Sequence, residues 1–299
     1  MNQNLKFEGI YPPVTTPFIN DELDLEGFKA NLKKYAAAGV AGVVVLGSNG
    51  EYVYLSEEEK INLVKTAAEV MPEGLKVIAG SGCESTRETI RLTNVCADAG
   101  AHAALIVTPS YYGGKMDNRA LLNHYFTVAD NSKIPILLYN VTKFTNINMP
   151  PKLVAELAKH PNIVGIKDSN GNMAQMGELL ELVDKDFSVL VGTAGALYPA
   201  LTIGAVGGVL ALANIAPYEC VEILNLTKAG KHEEASKLYR KMIPLNKAVT
   251  ATYGIAGLKA AMDMLGYVGG KTRSPLMPLT QDQLTELEKI IKGAGIRTE

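Results

Sequence analysis

The stretch from Pro161 to Gly171 reads PNIVGIKDSNG, an apolar run that ends on Lys167 and Asp168. A lysine ammonium held among apolar walls has its charged form disfavoured, and the free amine so released is a nucleophile. The chemistry open to that amine is Schiff-base formation with a carbonyl substrate, the iminium then acting as an electron sink for making or breaking an adjacent carbon–carbon bond. Tyr139, in IPILLYNV, is the candidate to share a layer with the amine. A third signal is GSNGE, Gly47 to Glu51. Its glycines permit a tight turn in which backbone N–H groups, with the Ser48 hydroxyl, converge on a small anion such as a carboxylate. No Gly-Lys-Ser/Thr follows, which argues against a phosphate loop. Each signal alone has a plainer reading: a lysine that snorkels or pairs with Asp168, a core tyrosine, an ordinary turn.

What positions these residues is a repeating pattern. Eight β-branched or aliphatic runs, GIYPPVTTP, AGVVVLGS, LKVIAGSG, HAALIVTPS, IPILLYNV, NIVGIKDS, SVLVGTAG and GGVLALAN, alternate with amphipathic stretches such as LEGFKANLKKYAAAG, SEEEKINLVKTAAEVM and STRETIRLTNVCADAG. Apolar strands separated by capped helices predict a parallel sheet covered by helices, and eight such units predict a closed (β/α)₈ barrel over residues 1–230. An open doubly wound sheet is the runner-up, disfavoured because no GxGxxG opens the first unit. Residues 231–299 read as helices only and are expected to pack on the barrel as a C-terminal extension. In such barrels the catalytic groups sit at the C-terminal strand ends, which is where Thr15, Thr16, Ser48, Asn49, Tyr111, Tyr139, Lys167, Ser169 and Gly192 fall. Alternation along the strand points Lys167 and Gly165 inward and Val164 and Ile166 toward the helices. Gly165 is expected to leave space beneath the lysine. Leu137 and Tyr139 share the inward parity on the preceding strand, about 5 Å away.

Composition excludes other classes. The chain has 299 residues, 47% of them hydrophobic, and a net charge of −2, so there is no electrostatic case for nucleic acid or an anionic membrane. The apolar runs are far shorter than the roughly 20 residues of a membrane span, and the start MNQNLKFEG lacks a leader's apolar stretch. A soluble, cytoplasmic protein is expected. Three cysteines (Cys83, Cys96, Cys220) without CxxC spacing argue against disulfides or zinc and are expected to be buried thiols. The histidines (His102, His124, His160, His232) form no metal-ligand pattern, and no cofactor or metal is expected.

Together, LGSNGE, TPSYY, LLYNV and GIKDSNGN, in that order, resemble the pyruvate-dependent class I aldolases of the dihydrodipicolinate synthase/N-acetylneuraminate lyase family. The resemblance spans essentially the whole chain, from PPVTTPF to YGIAGLKAAMDMLGYVGG. It implies that Lys167 is the Schiff-base lysine and Tyr139 the proton relay. Ser48 and Asn49 would grip the pyruvate carboxylate, with Thr15 and Thr16 near that end. Tyr111, or Tyr112 if the register slips by one, would reach into a neighbouring subunit of a homotetramer, a dimer of dimers. Two departures bear on the second substrate. Dihydrodipicolinate synthases follow YNVP with a residue and then an arginine for the semialdehyde carboxylate, whereas this chain has Thr142 for the proline and Phe144 for the arginine. Neuraminate lyases have a GVKQTxGD-like strand six that GIKDSNGN lacks. GSNGE, GIKDS and GAVGGVLALAN look closest to 4-hydroxy-2-oxoglutarate aldolases, in which Ser169 and Gly192 would contact substrate. Cleavage of 4-hydroxy-2-oxoglutarate is therefore the first expectation. The alternatives are condensation of pyruvate with aspartate semialdehyde, a 2-keto-3-deoxy sugar acid aldolase, and a non-catalytic keto-acid regulator.

Overall fold

The computed structural model describes residues 6–297; the first five residues of the N-terminal MNQNLKFEG stretch and the last two of the chain lie outside it. Eight strands form one parallel sheet: β1 (Gly9–Tyr11), β2 (Gly42–Val45), β3 (Lys76–Gly80), β4 (Ala103–Val107), β5 (Ile136–Asn140), β6 (Ile163–Asp168), β7 (Ser188–Val191) and β8 (Gly207–Val209). Each of β2 to β7 pairs in parallel with its successor in the chain, and β1 pairs with β8, Gly9 opposite Gly207. A single parallel bridge, Pro13 to Val44, completes the ring between β1 and β2. Prolines at 12 and 13 carry no N–H and so limit the ladder there, but their neighbours manage two bonds, Val14 N–H to the Val44 carbonyl and Val44 N–H to the Pro12 carbonyl, each 2.9 Å. The architecture is the expected (β/α)₈ barrel.

The core has two layers, as alternation demands. Tyr11, Val44, Ile78, Leu105, Leu137 and Leu190 fill the barrel, and Phe7 belongs to the same cluster. The opposite faces of the strands, with residues such as Val43, Val45, Leu138 and Ile166, pack against the surrounding helices. Cys96 and Cys220 are buried in those outer layers, whereas Cys83 is only half-buried.

The helices begin where the sequence provides caps. In α2 (Glu57–Val70) Ser56 and Glu59 form a reciprocal capping box, and α1 (Leu25–Ala37) and α3 (Thr86–Asp98) are capped by Asp24 and Ser85. Beyond the barrel strands, α4 (His232–Lys247), α5 (Gly254–Met264) and α6 (Gln281–Ala294) share one continuous apolar cluster with the barrel helices. We therefore propose the division at 230 as a change of architecture rather than a break in packing. Within this region the helix that starts at His232 ends at Lys247 and widens into a π-type turn over Ala248–Thr252. Pro244 removes one backbone donor, and the β-branched residues Val249, Thr250 and Thr252 weaken continued α-helix.

No helix among the described residues is long and apolar enough to cross a membrane.

Candidate active site

The floor of the site is set by strand register. Tyr139 on β5 and Lys167 on β6 are direct partners, two residues beyond the Leu137–Gly165 pair. Lys167 is 3% exposed, and its Nζ lies 4.0 Å from the centre of the Tyr139 ring. Burial raises the Tyr139 pKa, but the Lys167 charge and the polar side chains of Ser48, Lys167 and Ser169 around the phenol outweigh it and hold it below its ordinary range. A phenol eased toward ionisation beside an amine is suited to pass protons to and from a carbon that the amine has captured.

The plainer role for the lysine fails on direction. Asp168 points to the other face of β6, where its carboxylate accepts hydrogen bonds from Asn140 Nδ2 (3.1 Å) and the Asn170 N–H (2.8 Å). Burial raises its pKa against those bonds. Asn140 and Asn170 both also donate to Asn148 Oδ1, and Thr142 Oγ1 donates to Asn170 Oδ1 at 2.7 Å. This knot locks the loops after β5 and β6 to each other behind the floor.

Two expectations about β6 need correction. Gly165 leaves no room beneath the lysine: a Cβ there would meet the Ser188 carbonyl at 2.5 Å and Leu137 at 2.9 Å. The glycine is needed for close strand packing, not for space. Val164 packs against the interior cluster instead of the helices, because the register shifts between the Ile136–Ile163 and Leu137–Gly165 pairs and the alternation is broken there.

A cavity of about 370 Å³ opens above this floor and brings together Ser48, Asn49, Tyr139, Lys167, Ser169 and Gly192. Gly192 allows the close approach of β7, since any Cβ at that position would collide with Ser169 Oγ. Thr15 and Thr16 do not line the cavity. Both are buried: Thr16 Oγ1 donates to the Gly50 carbonyl (2.7 Å) and braces the 47–50 turn, while Thr15 Oγ1 lies 3.2 Å from Met262 Sδ. Tyr111 and Tyr112 are also outside the cavity, 79% and 72% exposed, and meet edge to face at 5.0 Å. A larger cleft of about 730 Å³ lies between the Phe18–Asp21 turn and the C-terminal helices, but neither Lys167 nor Tyr139 faces it.

Sequence reasoning missed two contributors. Glu84, in the loop after β3, accepts hydrogen bonds from the N–H groups of Ser110 and Tyr111, both 2.9 Å, and so fixes the tyrosine loop. The GSGCES stretch that holds it carried no mark beyond a charge beside a strand end. The π-type turn supplies Val249, Thr250 and Ala251 to the cavity wall, with Gly254 and Ile255 following. The β-branched residues after Pro244 were its only signal. On the remaining side, Lys143 and Phe144 form the rim on a four-residue helix, Thr142–Thr145.

Comparison with known proteins agrees with this arrangement. A profile of the Dihydrodipicolinate synthetase family matches residues 6–294. Relatives named 4-hydroxy-tetrahydrodipicolinate synthase include those of Methanoculleus marisnigri (38% identical, covering 97% of this chain and 100% of the relative) and Methanothrix thermoacetophila (37%, covering 95% and 96%). Among solved structures, the 4-hydroxy-tetrahydrodipicolinate synthase of Methylacidiphilum fumariolicum superimposes with a TM-score of 0.92 at 31% identity, covering 97% of this chain and 96% of that one. The Escherichia coli prophage protein YagE, solved in complex with pyruvate, gives 0.92 at 29% identity, covering 97% and 99%. With a lysine and tyrosine paired across β5 and β6 at the barrel mouth, the chain belongs to the dihydrodipicolinate synthetase family of pyruvate-dependent class I aldolases.

Proposed function

We propose that Lys167 attacks the C2 carbonyl of pyruvate, water leaves, and the resulting iminium loses a C3 proton to give an enamine that adds to an aldehyde. Hydrolysis of the iminium then frees the lysine, and the same steps in reverse cleave a 2-keto-4-hydroxy acid. Tyr139 relays the protons. Ser48 and Asn49 hold the pyruvate carboxylate, and Ser169 and Gly192 bound the reacting end. The observation that carries this reading is the buried Lys167 amine 4.0 Å from the Tyr139 ring, both lining one cavity. Thr16 supports the turn from behind and Thr15 contacts Met262, so neither is assigned to substrate. The exposed Tyr111, on a loop tied to Glu84, is assigned to the neighbouring subunit's site in a homotetramer.

Two readings of the second substrate have separate support. The names of relatives 35–38% identical along nearly the full chain favour condensation with aspartate semialdehyde. The cavity counts against the synthase's arginine clamp, because its lining holds no arginine and Phe144 stands 57% exposed where that arginine is expected, and this leaves cleavage of 4-hydroxy-2-oxoglutarate or a related 2-keto-4-hydroxy acid, with Lys143 the cation at the rim. We place cleavage first on that geometry. Borohydride reduction with pyruvate tests the common chemistry, with one reduced pyruvate expected on the Lys167 peptide and label on any other lysine refuting it. Pyruvate release from a panel of 2-keto-4-hydroxy and 2-keto-3-deoxy acids, set beside coupled synthase turnover, then ranks the substrates. Efficient condensation with aspartate semialdehyde would overturn the cleavage reading.

A further inference from the structure

Directly after Ser48 and Asn49 the backbone does something costly. Glu51 is held at φ 55°, in the left-handed region, between the turns Ser48–Gly50 and Tyr52–Tyr54, and neither a glycine nor an asparagine eases it. Its N–H donates to the Ser48 carbonyl (3.2 Å) and its carbonyl accepts from the Tyr54 N–H (2.8 Å). One residue therefore closes both turns.

The side chain explains how that conformation persists. Glu51 and Lys259 form an ion pair of 2.6 Å whose side chains are 0% and 1% exposed. Both carboxylate oxygens are used, Oε1 by Lys259 and Oε2 by the Arg273 N–H at 2.9 Å. Lys259 Nζ also donates to the Lys271 carbonyl (2.6 Å) and sits 4.6 Å from the centre of the Phe18 ring. The Arg273 guanidinium lies 4.3 Å from the same ring and reaches Glu59 Oε1 (2.7 Å) and the Tyr54 carbonyl (3.0 Å). None of these charged groups lines the catalytic cavity. Lys259 and Arg273, far along the chain, grip the Ser48–Glu59 segment from outside that cavity.

We propose that Lys259 and Arg273 are positioning residues for pyruvate: Lys259 through Glu51, and the Arg273 side chain through Tyr54 and Glu59 of the same segment, hold the Ser48–Asn49 turn in the shape that receives the carboxylate. A buried pair is a poor source of net stability, because the desolvation of two ions offsets most of their attraction. It is a good way to fix one geometry, since each oxygen and each proton has one partner. The C-terminal helical region thus sets the anion grip as well as the outer wall.

The proposal rests on pyruvate being held at Ser48 and Asn49, and the test separates the two ideas. The readouts are the pyruvate concentration giving half-maximal borohydride trapping, the trapped fraction at saturation, and the melting temperature. Glu51→Gln combined with Lys259→Met removes both charges at similar volume, which spares the fold the unpaired ion that a single substitution would leave. The double variant is expected to trap pyruvate fully at saturation, with half-saturation raised roughly tenfold, the scale of one lost charge-assisted hydrogen bond. Arg273→Gln loosens the same clamp from a less buried place and is expected to move half-saturation in the same direction by a smaller factor. It decides the matter alone if the double variant does not fold. Unchanged half-saturation in folded variants overturns the proposal, and so does a loss of trapping that only follows the folded fraction. A wild-type enzyme that pyruvate and borohydride do not label refutes the Schiff-base reading instead.

Discussion

The floor and the mouth of the cavity are built by different means. The floor consists of Lys167 and Tyr139, paired in register on β6 and β5, with Ser169 and Gly192 packed against each other beside them. Lys167 and Tyr139 are buried. The mouth consists of Lys143 and Phe144 on a four-residue helix, faced by the π-type turn at Ala248–Thr252. Lys143 and Phe144 are exposed, although Ala248 and Val249 are buried, and the hold across the mouth is slight: Lys143 Nζ donates to the Thr250 carbonyl at 3.1 Å and lies 5.5 Å from the Phe144 ring centre. A sheet register cannot shift by one residue without turning every side chain around, whereas a short helix or turn can change without cost to the barrel. On the function proposed above, the difference assigns capture of the keto acid to the fold and the choice of partner to the loops.

The largest expected effects lie on the floor. Lys167→Ala removes the only amine there and is expected to abolish both borohydride trapping and turnover, while circular dichroism and melting remain close to wild type. Residual trapping on another lysine would mean that the floor is not defined by register. Tyr139→Phe keeps the packed ring and deletes one hydroxyl, so kcat is expected to fall by about 10²–10⁴, the range for a lost acid–base group. Pyruvate trapping should persist at a lower rate. Near-normal turnover would assign the proton to another group.

The same contrast governs what could be read from sequence. Strand ends were legible because period-two alternation and apolar runs reflect the barrel directly, and Lys167 and Tyr139 could be placed on one layer by parity alone. Parity failed at Val164, where the register shifts, and no residue type announces such a shift. Gly165 was misread because a glycine in a strand looks the same whether it makes space or fills a tight contact. Thr15 and Thr16 fall at a strand end in sequence yet face away from the cavity, since prolines at 12, 13 and 17 steer the chain irregularly. Contributions from Glu84, Lys259 and Arg273 depend on contacts across long sequence separations and leave no local pattern.

Effects of one to two decades are expected where floor meets mouth. Phe144→Arg places a bidentate, charge-assisted partner on the cavity wall, and such bonds are worth about 1.5–3 kcal/mol, or roughly 10- to 100-fold in rate constant. Condensation of pyruvate with aspartate semialdehyde should rise by that factor with pyruvate trapping unchanged. Failure to gain it, with the protein folded, would show that the Thr142–Thr145 helix aims position 144 away from the second substrate. Ser48→Ala tests the neighbouring wall and is expected to weaken pyruvate half-saturation by roughly tenfold, with a smaller change in kcat at saturation. An unchanged pyruvate affinity would remove the hydroxyl from the carboxylate grip.

The smallest effect is expected from Lys143→Gln, and its pattern matters more than its size. Lys143 is the one cation besides Lys167 among the cavity-lining residues, and it is exposed, tied by a single donated hydrogen bond to the Thr250 carbonyl. If the distal carboxylate of the second substrate is met at the mouth, it is met by this solvated charge, worth about 0.2–1 kcal/mol at most, or up to roughly fivefold in KM. Such an effect is screened: the Debye length falls from about 10 Å at 0.1 M salt to about 3 Å at 1 M, so the difference between wild type and variant should fade as salt is added. Substrates without a second carboxylate should show no change, and neither should pyruvate trapping, which depends on the floor. Steady-state KM values for a dicarboxylic and a monocarboxylic 2-keto-4-hydroxy acid, each at low and high salt, provide the comparison. An equal, salt-independent loss on both substrates would mean that Lys143 acts by packing on Phe144 and Thr250, and a loss of pyruvate trapping would mean that mouth and floor are not the separate regions their construction implies.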